Sequence, residues 1–190
     1  MMINVVNPSQ SQNFSGLVLL SNPQNQIDTE FEQCVIAVVQ HQRDKGAMGL
    51  ILNRPLRLML NDFDANQWEH FDDVPVFKGG PVEQKRLILT AIDWTPNNHF
   101  LKWHLGLQAR QASQLLSQNE SIVLRAYCGY VGWREGQLEE ELDKKIWLPV
   151  PMNPQEVFAS DNKQLWNQMI LKFHPSNLMI SQLPFNPSFN

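Results

Sequence analysis

Two short apolar runs joined by a turn constrain the fold of this chain more than any other feature of its sequence. The runs span residues 35–39 and 47–52, and the segment between them ends in Gly46. Each run has the length of a β-strand, and glycine readily adopts the positive φ that tight hairpin turns require. The second run is apolar throughout except for Gly49, as in a strand that is covered on both faces. We therefore predict a hairpin whose second strand lies in the core and ends at Asn53.

Elsewhere the pattern places strands early and helices mostly later, without a regular βαβ alternation, which favours an α+β fold over a doubly wound parallel sheet. The helix predicted at 137–145 carries two oppositely charged pairs at i,i+4 spacing, Glu140 with Lys144 and Glu141 with Lys145. The other predicted elements are strands at 16–20, 74–77, 87–92 and 121–127, a helix at 109–118, and a helix capped by Asp161 with an apolar stripe of Leu165, Met169, Ile170 and Phe173, ended by His174 and Pro175.

The size and composition of the chain predict one folded domain. Its 190 residues are 43% hydrophobic and 18% charged, which is enough apolar surface to offset the entropy of ordering a single core. Asparagine, serine and glutamine dominate residues 1–13, and two prolines interrupt residues 182–190. We expect a domain over residues 14–180 and poorly ordered ends.

The charge and cysteine content disfavour several classes of protein. The net charge is -4 and the basic residues are scattered, which argues against direct binding of nucleic acid. No apolar run approaches the ~20 residues of a membrane span, and no export signal precedes the first strand, so we expect a cytoplasmic protein that does not bind membranes. Cys34 and Cys128 lie in apolar runs and are expected to be free, reduced thiols.

Three ordered segments carry a resemblance to a known family. They are GAMGLILNRP at 46–55, GGPV at 79–82 and GYVGWREGQLEEEL at 129–142. Together they resemble the hallmark segments of the AlgH-like (YqgE) bacterial family, over roughly residues 14–180. The resemblance implies an α+β fold with a bifurcated, barrel-like, mostly antiparallel sheet flanked by helices, and a regulatory role, but no particular reaction. Three positions depart from the family pattern and weaken any catalytic role there: Cys34 replaces a serine, Gln40 an acidic residue and Ala91 a histidine.

The same three segments supply the candidate binding residues, because each places glycine, proline or charge just beyond an apolar strand. Arginine at a strand end can clamp a carboxylate or phosphate, and glycine lets backbone N–H groups approach an anion. The alternative for every candidate is a structural role in turns, capping or packing. We predict that the segments converge on one surface, and that Arg54→Ala weakens binding while barely altering folding. The candidates are Asn53, Arg54, Gly79, Gly80, Trp133, Arg134 and Gln137.

Catalytic and metal motifs are absent from the sequence. A thiol nucleophile would need Cys34 or Cys128 beside His41, but the two-residue period of a strand places Cys34 and His41 on opposite faces. GxSxG, GxGxxG, HExxH and CxxC patterns do not occur, so no cofactor or metal is predicted. Glu135, Glu139 and Asp143 share a helix face, where solvated carboxylates are the simpler interpretation.

Three functions remain open from the sequence. We favour a non-enzymatic binding or regulatory module that recognises a small anionic ligand or a protein partner. An uncharacterised enzyme that uses the same cleft is the main alternative, and a direct DNA-binding regulator is disfavoured by charge.

Overall fold

The computed structural model describes residues 13–95, 100–119, 121–159 and 164–175. Except for Asn13, the ends that we expect to be poorly ordered lie outside these residues, as does the predicted cap Asp161. Within them, the strands are β1 (Leu17–Ser21), β2 (Val35–Gln42), β3 (Gly46–Ile51), β4 (Pro55–Met59), β5 (Pro75–Lys78), β6 (Val82–Thr95), β7 (Phe100–Leu105), β8 (Val123–Trp133) and β9 (Trp147–Pro151), and the α-helices are α1 (Ala109–Gln118), α2 (Gln137–Asp143), α3 (Pro154–Ala159) and α4 (Leu165–Phe173).

The predicted hairpin is present as β2 and β3, which pair in antiparallel register. Gly46 begins β3 with a φ of 91°, and a Cβ there would overlap the carbonyl oxygen of Trp133 on the neighbouring β8. Residues Leu50 and Ile51 are both buried but in different apolar clusters, so β3 is covered on both faces as predicted. The strand ends at Ile51, earlier than the predicted Asn53, because Leu52 and Asn53 form a bend.

One sheet of nine strands organises the described residues. Its main path runs β4-β5-β8-β3-β2-β1-β9; β6 branches from β8, and β7 pairs with β6. Residues 123–130 of β8 include the positions that pair with β5 and β6, whereas residues 131–133 pair with β3, so the sheet divides along this one long strand. Pairing is antiparallel except between β5 and β8. The predicted α+β class and the bifurcated, mostly antiparallel sheet are confirmed, and the sheet is open rather than closed into a barrel.

Two of the strands that the sequence pattern did not predict contain prolines, and the prolines explain why these strands lie at the edges of the sheet. Proline lacks the N–H group that a central strand donates, so proline-rich strands are confined to the edges of sheets. The strand β4 begins with Pro55 and β9 contains Pro149 and Pro151, and these strands are the two ends of the main path. The strand β7 and the short helix α3 were also not predicted.

Helices cover the sheet on both faces. Residues Leu165, Met169 and Ile170 of α4 are buried with α3 against one face of β1, β2 and β3, which confirms the predicted apolar stripe. On the opposite face, α2 contributes Leu138 to a second cluster, and α1 packs on β5, β6 and β8 in a third. Among the described residues, no helix combines the length and the apolar character needed to cross a bilayer.

Candidate functional site

Asn53 and Arg54 lie in the bend that follows β3. Asn53 is 3% exposed; its Oδ1 accepts a hydrogen bond from the Val35 N–H at 3.0 Å, and its Nδ2 donates to the Gln33 carbonyl at 2.8 Å. Arg54 is half-buried, and its Nη2 donates to the Glu32 carbonyl. Both side chains therefore hold the segment that enters β2, which is the structural alternative considered from the sequence.

A buried thiol lies beside Arg54. The Nη2 of Arg54 is 3.8 Å from Cys34 Sγ, and Lys78 Nζ forms an ion pair with Glu30 at 2.6 Å close by. Burial raises the pKa of the Cys34 thiol, an effect that the neighbouring Arg54 and Lys78 charges oppose. Cys34 and Cys128 are both free, as predicted. A buried thiol with a raised pKa is a poor nucleophile, because the thiolate is the reactive form.

The segment that contains Gly79 and Gly80 is held next to Arg54 by backbone hydrogen bonds. The Gly79 carbonyl accepts from the Ile51 N–H at 2.9 Å, and the Lys78 N–H donates to the Arg54 carbonyl at 2.8 Å. Both glycines are buried, and a Cβ at Gly79 would overlap the Gly129 carbonyl oxygen. Here glycine allows two backbones to approach each other, rather than a backbone to approach an anion.

Trp133 and Gln137 bind a shared carboxylate at the other end of β3. Glu141 Oε2 accepts from Trp133 Nε1 at 2.8 Å and from Trp147 Nε1 at 2.6 Å, while its Oε1 accepts from Gln137 Nε2 at 2.9 Å. Trp133 is 5% exposed and Gln137 is half-buried. The Glu141 carboxylate thus ties α2 to β8 and β9.

This arrangement corrects one predicted ion pair. Glu140 Oε2 lies 3.9 Å from Lys144 Nζ, as predicted, but Glu141 turns inward to the two indoles instead of pairing with Lys145. The helix ends at Asp143, and Lys145 has a φ of 55°, so the i,i+4 geometry does not extend to this residue.

The predicted convergence of the three segments is only partly correct. The NRP and GGPV segments meet, and Val82 of GGPV pairs with Tyr130, next to the start of GWREGQ. The pairing of Ala47 with Trp133 places the rest of the GWREGQ segment at the Gly46 end of β3. The six residues of β3 span roughly 17 Å at the usual rise of ~3.3 Å per residue. The NRP residues and the GWREGQ residues therefore lie at opposite ends of β3, with the GGPV segment between them.

His41 lies on an unexpected face because β2 contains a bulge. The register shifts between Val38 and Gln40, so one additional residue reverses the inward and outward alternation beyond it. The prediction that Cys34 and His41 lie on opposite faces is therefore wrong. They nevertheless lie at opposite ends of β2, which keeps the thiol and the imidazole apart.

Both ring nitrogens of His41 are engaged by the fold. The Phe14 N–H donates to Nδ1 at 3.2 Å, which leaves the proton of a neutral ring on Nε2. Nε2 lies 3.0 Å from Glu139 Oε1, and the His41 side chain is only 1% exposed. His41 therefore links β2 to α2 and has no free nitrogen to act as a base.

A cleft of about 300 Å³ opens at the turn between β2 and β3. Lys45 lies at its rim, and Arg134 is exposed nearby, with its backbone against Gly46. The volume falls at the lower end of the range that small ligands occupy. The cleft is lined by Gln40, His41, Gln42, Lys45, Gly46, Ala47 and Met48.

The sequence pattern points to Gly46 and His41 in this cleft, and to Arg134 beside it, but gives Lys45 no role beyond the turn. The roles of Glu139 and Glu141 are hidden among three consecutive glutamates. The spacing from Gln137 to Glu141 was a usable signal, since i,i+4 side chains on a helix can hydrogen-bond. In residues 13–95, 100–119, 121–159 and 164–175 no three His, Cys, Asp or Glu side chains are grouped as metal ligands would be.

Arg125 is a further buried cation that the sequence did not single out. It is 5% exposed, and its guanidinium carbon lies 4.6 Å and 4.7 Å from the ring centroids of Phe77 and Phe158. Its nitrogens lie 3.5 Å from the carbonyl oxygens of Leu52 and Phe158. These contacts join β8 to α3, so Arg125 packs the core rather than a surface site.

Sequence comparison gives matches along nearly the whole chain. A model of the AlgH-like family matches residues 18–176. A UPF0301 protein of Thermobifida fusca is 27% identical over 190 residues, covering 93% of this chain and 95% of the relative. A UPF0301 protein of Bacteroides fragilis is 31% identical over 180 residues, covering 92% and 90%.

Two solved structures share the fold. The crystal structure of a Corynebacterium diphtheriae protein aligns with a TM-score of 0.69 at 17% identity, over 91% of this chain and 94% of the other. The solution structure of the AlgH protein from Pseudomonas aeruginosa, also a UPF0301 protein, aligns with a TM-score of 0.60 at 22% identity, over 95% and 100%. At these identities the likeness concerns the fold alone.

Proposed function

This chain belongs to the AlgH-like family, and we propose that it is a non-enzymatic binding module that recognises a small anionic ligand in the cleft at the β2–β3 turn. The observation that carries the proposal is the cleft itself, with Lys45 on its rim and the exposed Arg134 adjacent to Gly46. A lysine that lines a concave surface, with an exposed arginine whose backbone lies against the same turn, suits a carboxylate or a phosphate.

The walls of the cleft support binding because they are held rigidly. His41 is fixed between the Phe14 N–H and Glu139, and α2 is tied to the sheet through Glu141. A preorganised site loses less conformational entropy when a ligand binds, so more of the contact energy contributes to affinity. The side-chain amides of Gln40 and Gln42 add neutral donors and acceptors along β2.

Binding is favoured over catalysis by the state of the two groups that a thiol mechanism would use. Cys34 is fully buried with a raised pKa, and His41 has both ring nitrogens engaged. Asn53, Gly79 and Gly80 also serve the fold, so the proposed site retains only Arg134 from the exposed candidates of the three segments.

A thermal-shift screen of metabolites that carry carboxylate or phosphate groups tests the proposal. A ligand at a hundred times its Kd stabilises the folded state by about 2.7 kcal/mol, which raises Tm by roughly 5–10 °C for a domain of this size. We expect Lys45→Gln and Arg134→Gln each to reduce the shift. Lys144→Gln is the matched control, because Lys144 is an exposed lysine that directly follows α2 and lies outside the cleft lining.

Two results would contradict the proposal. A hit whose stabilising effect survives in the Lys45→Gln/Arg134→Gln double variant would bind at another site. Conversion of a hit into product by the purified protein, measured by mass spectrometry, would show that the cleft belongs to an enzyme.

A further inference from the structure

The sheet ends at β4, and we propose that this edge and the segment after it bind a basic, apolar segment of a partner protein. The surface is formed by residues 55–63 and 72–75 and is called the β4 edge below. It is distinct from the ligand cleft, because β5, β8 and β3 separate β4 from β2 in the sheet.

Exposed apolar side chains are concentrated at the β4 edge. All five residues of β4 are exposed, which is unusual for a strand that belongs to a nine-stranded sheet. Seven large hydrophobic side chains are exposed among the described residues, and four of them lie within residues 56–63. They are Leu56 at 38%, Leu58 at 39%, Met59 at 42% and Phe63 at 45%. Clustered apolar exposure of this kind marks interaction surfaces, whereas scattered single residues do not.

The outer side of β4 offers a short stretch of unpaired backbone to an added extended segment. β4 pairs with β5 only through Pro55 with Phe77 and Met59 with Pro75, and the register is irregular between them. Arg57 has a φ of 55°, which interrupts the strand. No described strand pairs with the outer side of β4, so its outward N–H and C=O groups can bond to an extended segment over a short length.

Acidic side chains surround the apolar patch. Residues 55–77 contain five carboxylates, one arginine (Arg57 of β4) and no lysine. Asp62 Oδ2 accepts from the Met59 N–H at 2.8 Å, and the Leu60 N–H donates to the Val74 carbonyl at 2.9 Å, which places Asp73 beside the patch. The five are Asp62, Asp64, Glu69, Asp72 and Asp73, and all are exposed.

The acidic residues around the β4 edge determine the charge of the partner that it can bind. Oppositely charged groups across an interface accelerate association and exclude wrong partners, while like charges in contact are costly. A second copy that presented the same surface in a twofold dimer would bring together six carboxylates, those of Asp62, Asp72 and Asp73 from each copy, against only two arginines. A segment with lysine or arginine between apolar residues would instead match both the acidic rim and the exposed Leu56, Leu58 and Met59.

The test uses the full chain labelled with ¹⁵N and a short extended peptide in which lysine and valine alternate. A peptide of the same length and charge, with serine in place of valine, tests whether charge alone suffices. We expect the lysine-valine peptide to shift backbone amide resonances of residues 55–63 and 72–75. We expect Leu56→Ser/Leu58→Ser to weaken its binding about tenfold, and Asp72→Asn/Asp73→Asn to reduce the salt dependence of its Kd.

Leu116→Ser/Leu171→Ser is the matched control, because these leucines are 36% and 40% exposed and lie on α1 and α4. Both serine pairs replace exposed side chains, so circular dichroism and melting curves should match the parent protein. Equal binding of the lysine-serine peptide, or resonance shifts located outside the β4 edge, would overturn the proposal. So would a concentration-dependent dimer in sedimentation that Leu56→Ser/Leu58→Ser abolishes, because the edge would then bind a second copy.

Discussion

Replacing Glu141 with alanine should be among the most damaging single changes on the surface of α2. The substitution leaves the indole N–H groups of Trp133 and Trp147 without their shared acceptor, and both tryptophans are at most 5% exposed. A buried donor that loses its partner costs about 1–3 kcal/mol. Two such donors therefore cost about 2–6 kcal/mol, and because water reaches the half-buried position of Glu141 we expect a loss in the lower half of that range, roughly 3 kcal/mol. The half-buried Gln137 amide can bond to water instead.

The assay is urea unfolding followed by tryptophan fluorescence and circular dichroism, with linear extrapolation to water. Glu140→Ala is the control in the same helix, because Glu140 and Lys144 are 63% and 68% exposed and their 3.9 Å ion pair contributes under about 0.5 kcal/mol. Glu141→Gln retains an acceptor oxygen and should cost roughly 1 kcal/mol. A loss of 3 kcal/mol corresponds to a fall in Tm of roughly 6–12 °C. Equal losses in Glu141→Ala and Glu140→Ala would refute the reasoning, since helix propensity changes equally in both.

Two further predictions concern Arg54 and the reactivity of the two cysteines. Arg54→Ala should destabilise the fold by about 1–3 kcal/mol in the same urea assay, because the Glu32 carbonyl and Cys34 lose the guanidinium, and an unchanged midpoint would support the sequence-based expectation of a recognition role. Iodoacetamide should alkylate the half-buried Cys128 of the native protein before the fully buried Cys34, as measured by peptide mass spectrometry. Because the pKa of Cys34 is raised, the thiol of the folded protein stays protonated at pH values where the thiol of the unfolded protein ionises. Rapid alkylation of Cys34 in the native protein at pH 9 would therefore contradict the description of Cys34 as a buried, protonated thiol.

The same contacts connect stability with the proposed binding site. Arg134 lies in the short connection between β8 and α2, and its N–H donates to Gln137 Oε1 at 3.1 Å. Gln137 in turn binds Glu141, so the position of the cationic residue depends on the carboxylate that secures α2. Glu141→Ala is therefore expected to weaken ligand binding as well, through a less ordered wall rather than through a lost contact.

Local signals in the sequence were sufficient for much of the fold. The turn before Gly46 predicted the hairpin, and the helical spacing of Leu165, Met169 and Ile170 predicted the buried face of α4. These patterns succeed because side-chain period and turn chemistry act over a few residues. The three ordered segments also indicated the family and its α+β class, which the comparisons confirm. The edge strands β4 and β9 escaped prediction, because their prolines disfavour a strand wherever both sides must pair.

Only the tertiary structure decided which side chains share a site. Asn53 and Trp133 both follow apolar strands in the sequence, yet the antiparallel pairing of β3 and β8 places their segments at opposite ends of β3. One bulged residue in β2 reversed the face of His41, and the inward turn of Glu141 replaced an ion pair with two indole hydrogen bonds. Strand register and burial depend on contacts between residues far apart in the chain. A short sequence pattern predicts an element but not the neighbour against which its polar groups will pack.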